Sequence, residues 1–117
     1  MKRQSEQGKL AEILAQQLLE SHQLKLLEKN YFCRYGEIDL IMQDAKTLVF
    51  IEVRFRRSEQ FGGAIESIDS KKQGKLRITA QHYMQKHNSK LNARFDVVTL
   101  SSLTDKSKVN WIKYAFE

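Results

Sequence analysis

The stretch GEIDLIMQDAKTLVFIEVRF, residues 36–55, decides how this chain folds. From Glu37 to Met42 the pattern repeats every second residue. It places Ile38, Leu40 and Met42 on one face of a strand and Glu37, Asp39 and Ile41 on the other. Gln43 to Lys46 is a polar turn. Leu48 to Phe55 is rich in β-branched and aromatic residues, the strongest strand signal in the chain. Two strands joined so closely form an antiparallel hairpin. With the turn centred on Ala45-Lys46, Asp39 sits across from Glu52, Glu37 from Arg54 and Ile41 from Phe50, all on one face. A slip of one residue destroys that arrangement.

Upstream of the hairpin, Ser5 to about Ser21 reads as an amphipathic helix capped by Ser5, with Leu10, Ala11, Ile13, Leu14, Leu18 and Leu19 at helical spacing. Glu12 falls at the edge of that apolar arc, between Gly8 and Leu19, where a polar group can face a cleft or simply meet water. Leu24 to Cys33 reads as a first strand and Tyr35-Gly36 as a bend. Downstream, Ser58 to Ser67, with Phe61-Gly62-Gly63-Ala64, is a loop. Asp69 or Ser70 caps a second helix running to about His87, with a stripe of Leu76, Ala80, Tyr83 and Met84. Arg94 to Leu100 and Val109 to Phe116 are strands separated by a turn at Thr104 to Lys108. The order is α-β-β-β-α-β-β. That predicts an α/β class with a central mixed five-stranded sheet flanked by helices, and one domain over residues 1–117.

The composition agrees with one compact unit. The chain has 117 residues, 41% hydrophobic and 29% charged, with no Pro and five Gly. Lys and Arg total 20 against 14 Asp and Glu, for a formal charge of +6. A basic balance suits an anionic partner, most often nucleic acid and less often an acidic membrane surface; a solvated Lys/Arg surface is the plain alternative. The single cysteine, Cys33, excludes an internal disulfide framework and a Cys-rich zinc site. No apolar run approaches the ~18 residues needed to span a bilayer, and the first residues do not read as a signal peptide. A soluble, cytoplasmic protein with no membrane partner is the expectation.

Two carboxylates directly opposite on a sheet, roughly 5 Å apart at Cβ, repel each other. A proton, a neighbouring cation or a bound metal can compensate. Mg²⁺ or Mn²⁺ held by Asp39 and Glu52 could activate water and polarise a phosphodiester together. The plain alternative is a charged, solvated face in which Glu37 pairs with Arg54 and each acid meets a Lys or Arg from elsewhere. Asp39 and Glu52 lie mid-strand between Ile38, Leu40, Ile51 and Val53, which favours a functional use.

These residues carry a resemblance. An acid on one strand and Glu-x-Arg on the next is similar to the PD-(D/E)xK nuclease superfamily. More closely, the chain resembles the YraN-like family of small uncharacterised proteins. The matching residues are Gly8, Glu12 and Ala15, then residues 36–41 and 49–56, Phe61-Gly62, Lys72, Ala80 and residues 94–98. The resemblance implies a restriction-endonuclease-like fold, similar to Holliday-junction resolvases. It implies Asp39 in place of the metal-binding Asp, Glu52 in place of the motif Glu, and Glu12 in place of a helix-one Glu. Arg54 stands where the catalytic Lys would be. Arginine cannot act as a general base, although its fork suits a phosphate. Either Lys72 supplies the missing ammonium from the second helix, or the site binds nucleic acid with little or no cleavage.

Arg56, Arg57, Lys71 and Lys75 are the candidates for phosphate contact, with DNA favoured over RNA. Cations in a helix's first turns oppose its dipole, which slightly favours a use for them. Tyr31, Phe32 and Tyr35 read as strand packing, with Tyr35 also able to stack on a base. His22, His82 and His87 form no ligand cluster by spacing. Asp96 is mid-strand, with an ion pair around Arg94 as its simplest role. Resolvase-like relatives are often dimers, which leaves a homodimer open. The expected functions are a metal-dependent nuclease-like protein or a non-catalytic nucleic-acid-binding module. A basic face that docks an acidic protein is the weaker third.

Overall fold

The computed structural model describes residues 4–56 and 68–117. Helix α1 spans Glu6–Ser21, strand β1 Lys25–Cys33, β2 Gly36–Asp44 and β3 Thr47–Phe55. Helix α2 follows at Ser70–Lys86, then β4 at Asn92–Leu100 and β5 at Val109–Phe116. The α/β class, the five-stranded mixed sheet and the element order are those expected. The sheet runs β1-β2-β3-β4-β5 in spatial order. Among the described strands only β3 and β4 pair in parallel, because α2 lies between them in the chain and returns β4 in the same direction. The predicted loop at Ser58 to Ser67 lies outside the described residues.

Both helices start where their caps dictate. Ser5 Oγ accepts the Gly8 N–H at 2.9 Å, and Asp69 Oδ1 accepts the Lys72 N–H at 2.8 Å. The helices cover opposite faces of the sheet. Leu76, Ala80 and Tyr83 of α2 pack with Tyr31, Ile38, Ile41, Phe50 and Val97. Ala11, Ala15 and Leu19 of α1 pack with Leu40, Met42, Val49, Ile51 and Val98. The buried stripe of α1 is therefore Ala11, Glu12, Ala15 and Leu19, while Leu10 and Ile13 stay exposed. Helical spacing puts Ala11, Ala15 and Leu19 on the inner face and turns Leu10 and Ile13 away from the sheet.

The hairpin register is the expected one: Ile41 opposes Phe50, and the ladder continues to Asp44 opposite Thr47. Ala45 takes a left-handed conformation at φ 53°, and Gln43 Nε2 donates to its carbonyl at 2.8 Å. The expected ladder does not, however, reach the acids. Its last pair is Leu40 with Ile51, so Asp39–Glu52 and Glu37–Arg54 are not ladder partners. The period-two face assignment also breaks once. Ile38 joins the α2-side cluster with Ile41, whereas Leu40 and Met42 join the α1 side. The change falls at Asp39. Opposite it in β1 is Asn30, at φ 52°, and the β1–β2 ladder passes over both. Asn tolerates this conformation better than most residues.

Candidate functional site

Because β2 and β3 part beyond Leu40 and Ile51, a recess opens at that end of the sheet. Its volume is about 560 Å³, and its walls include Glu12 from α1, Phe32 from β1, Tyr35 from the turn after it, Asp39 from β2, Glu52 from β3, and Lys72 and Lys75 from α2. Asp39 Oδ2 accepts the backbone N–H of Val53 at 2.8 Å. The carboxylate thus takes a β3 donor that the interrupted ladder leaves without a β2 backbone partner. That bond ties Asp39 to the residue next to Glu52.

The two acids interact directly, although their strands are no longer paired. Asp39, when protonated, donates to Glu52. Burial first, and then the Glu52 charge, push the Asp39 carboxyl well above the usual carboxylate range; the Val53 N–H pulls weakly the other way. Glu52 is buried and meets two cations at one oxygen. Arg54 Nη2 lies 3.0 Å and Lys72 Nζ 3.4 Å from its Oε2. The expected Glu37–Arg54 cross-strand pair is therefore replaced by Glu52–Arg54. The cause is the parting of the strands, which leaves Glu52 as the acid that Arg54 reaches. Glu37 Oε2 and Arg54 Nε are buried with no hydrogen-bond partner among the described residues.

Glu12 is 5% exposed, deeper than the helix edge where periodicity placed it. Burial raises its carboxyl above the usual range, and hydrogen bonds with Asn30 and Gln4 and the charge of Lys29 oppose the rise. It contributes to the rise in Asp39 by repulsion. Asn30 and Gln4 were not foreseen. An Asn within a strand is itself a weak signal, since Asn is depleted there.

Over 90 residues, from 11 to 100, the chain matches the model of a family described as "Uncharacterised protein family UPF0102". It belongs to UPF0102. This is the YraN-like family of the resemblance. Similar relatives include a UPF0102 protein of Stutzerimonas stutzeri (strain A1501), 48% identical and covering 94% of this chain and 93% of its own. Another is UPF0102 protein NE0719 of Nitrosomonas europaea, 47% identical over 94% of this chain and 92% of its own length. A UPF0102 protein of Saccharophagus degradans is 45% identical and aligns along 99% of this chain and 97% of its own.

In this UPF0102 chain, four of the five candidate catalytic residues gather as a unit: Asp39, Glu52, Arg54 and Lys72. Glu12 lines the same recess from α1. Of the phosphate-contact candidates, Lys75 lines the recess and Lys71 is exposed outside it. Arg56 is exposed at the end of β3, where its backbone N–H donates to Leu100 O at 2.8 Å. Arg57 lies outside the described residues. Asp96 does not reach the recess. It is fully buried and binds Arg94 Nε at 3.1 Å, Trp111 Nε1 at 2.9 Å and the Tyr114 N–H at 3.1 Å. Among the described residues no group of three or more His, Cys, Asp or Glu gathers closely enough to hold a metal ion, and no helix is long and apolar enough to cross a membrane.

Proposed function

We propose that this chain is a metal-dependent nuclease-like protein that binds and cleaves structured nucleic acid, DNA in preference to RNA, at Asp39 and Glu52. The observation that carries this reading is the position of Lys72. Its ammonium lies 3.4 Å from Glu52 Oε2, beside the acid pair, where it provides the amine absent from position 54.

The donor set fits a hard divalent cation held by two carboxylates, with water and phosphate oxygens completing its shell; this is the usual way Mg²⁺ is held. It does not fit a cage made by the protein alone, since among the described residues no third acid joins the pair closely enough to hold an ion. Mg²⁺ or Mn²⁺ bound there would activate water and polarise the phosphodiester. Asp39 and Glu52 hold the ion in this reading. Lys72 and Arg54 stabilise charge that develops on the phosphoryl oxygens, and Lys75 draws in the backbone. Glu12 orients a water on the α1 side. The test is cleavage of a panel of branched and single-stranded substrates with Mn²⁺, comparing wild type with Asp39→Ala and Glu52→Ala. Loss in both variants is expected. Equal residual activity would mean contamination and would sink the reading.

One observation favours a second reading, a non-catalytic nucleic-acid-binding module. Glu52 already meets two cations of its own chain, so the site is charge-compensated without an added ion. That module would bind with strong salt dependence, and neutralising Asp39 and Glu52 would leave affinity unchanged or improved. Metal-dependent turnover rules it out.

A further inference from the structure

Phe32 and Tyr35 are 52% and 42% exposed, yet Tyr31 and Cys33 on either side of Phe32 are buried against α2. Strand alternation carries Phe32 to the other face, beyond the cover of α1. A lone exposed apolar residue is ordinary. Here two aromatic rings border the same recess as Asp39, Glu52, Lys72 and Lys75. The Arg34 guanidinium lies over the Tyr35 ring, 4.9 Å from its centre. Aromatic surface and positive charge therefore meet at the recess that the acid pair also lines.

We propose that Phe32 and Tyr35 form a base-stacking platform for an unpaired nucleotide. The substrate class is then single-stranded or branch-point nucleic acid, not continuous duplex. Aromatic faces beside a cationic groove are the means by which proteins hold single strands. Bases inside a duplex are already stacked on their neighbours and have no free face to offer. A strand laid over the platform passes its phosphates along Lys75, Lys72 and Arg54. The inference rests on the nucleic-acid reading above but requires no cleavage.

The test measures binding by the full chain in EDTA, where turnover is absent. The probes are a fluorescein-labelled oligothymidylate and a blunt duplex of the same length, read by anisotropy. The wild type is expected to prefer the single strand. Phe32→Ala and Tyr35→Ala each weaken single-strand binding about tenfold and leave duplex binding unchanged. Phe32→Trp, which retains a stacking face, restores binding and separates stacking from misfolding. A 2-aminopurine placed in the strand loses fluorescence with wild type and not with Phe32→Ala.

Equal affinity for both probes, or equal loss on both, overturns the platform while leaving the cleavage assay standing. Concentration-dependent self-association that Phe32→Ala abolishes, with nucleic-acid binding intact, overturns it in favour of a second copy of the chain. If wild type binds neither probe, the platform falls, and the Mn²⁺ cleavage assay decides the nuclease reading separately. Selective loss of single-strand binding in a chain that cleaves nothing supports the platform and removes only the cleavage reading.

Discussion

Lys72 Nζ, in the first turn of α2, lies 3.4 Å from Glu52 Oε2 on β3. The helix that delivers it is positioned by Leu76, Ala80 and Tyr83 on the far side of the sheet from α1. Packing of an apolar stripe thus fixes an ammonium beside an acid that the chain places many residues earlier. If Lys72 stabilises charge at a phosphate, Lys72→Met lowers the cleavage rate with Mn²⁺ by roughly 10²–10³-fold, the usual size for one lost electrostatic donor. Arg54→Lys is expected to retain activity. Full activity in Lys72→Met would assign the role elsewhere.

Added Mn²⁺ should raise the melting temperature of the wild type. An ion present at a hundred times its dissociation constant stabilises the native state by about 2.7 kcal/mol. Asp39→Ala and Glu52→Ala should show no such shift, and EDTA should reverse it in the wild type. A shift of equal size in all three proteins would place the ion outside the acid pair.

Asp39→Asn should stabilise the chain at neutral pH. Burial and the neighbouring Glu52 raise the native-state carboxyl well above its ordinary value. Between the unfolded and the raised native value, the native chain holds a proton that the unfolded chain has lost. Stability therefore falls as pH rises through that window, and the cost persists above it. Asparagine removes the charge, and its oxygen can still accept the Val53 N–H. Thermal melts should show the variant melting higher at neutral pH, by roughly 4 °C if the gain is ~1 kcal/mol, with the difference shrinking on acidification. A constant difference at all pH values would contradict this account.

Asp96→Ala should destabilise without touching the recess. Its carboxylate is fully buried and satisfies Arg94, Trp111 and the Tyr114 N–H together. Its loss leaves a buried guanidinium short of its main partner, a cost of about 3–5 kcal/mol readable as a lower urea midpoint. Binding of Mn²⁺ by the folded fraction should be unchanged.

Gly36 starts β2 where it passes close to α2. A Cβ there would lie 3.2 Å from Thr79 Oγ1, and that hydroxyl is held by its bond to the Lys75 carbonyl at 2.8 Å. Gly36→Ala should cost about 1–3 kcal/mol, from this crowding and from a backbone φ of 157° that side-chain-bearing residues rarely adopt. Adding Thr79→Ala should recover part of it, so a double-mutant cycle in urea would show coupling between the two positions. Strict additivity would mean that the cost arises in the backbone and not in the contact.

Much of this protein is legible along the chain. Alternation and turn chemistry determine the hairpin and its register, because a slip would take apolar side chains out of the core. Helical spacing and caps at Ser5 and Asp69 locate both helices, since those signals act within a few residues. They also suffice to bring Asp39 and Glu52 to one end of a pair of strands. Local pattern does not say where a ladder stops. The parting of β2 and β3 beyond Leu40 and Ile51 goes with Asn30 on a third strand, and it replaces a Glu37–Arg54 pair with Arg54 on Glu52. The burial of Glu12, the approach of Lys72 and the exposure of Phe32 likewise follow from which sheet faces the helices cover and where that cover ends. Such contacts join elements distant in the chain, and only the packing of the whole sheet and its two helices decides them.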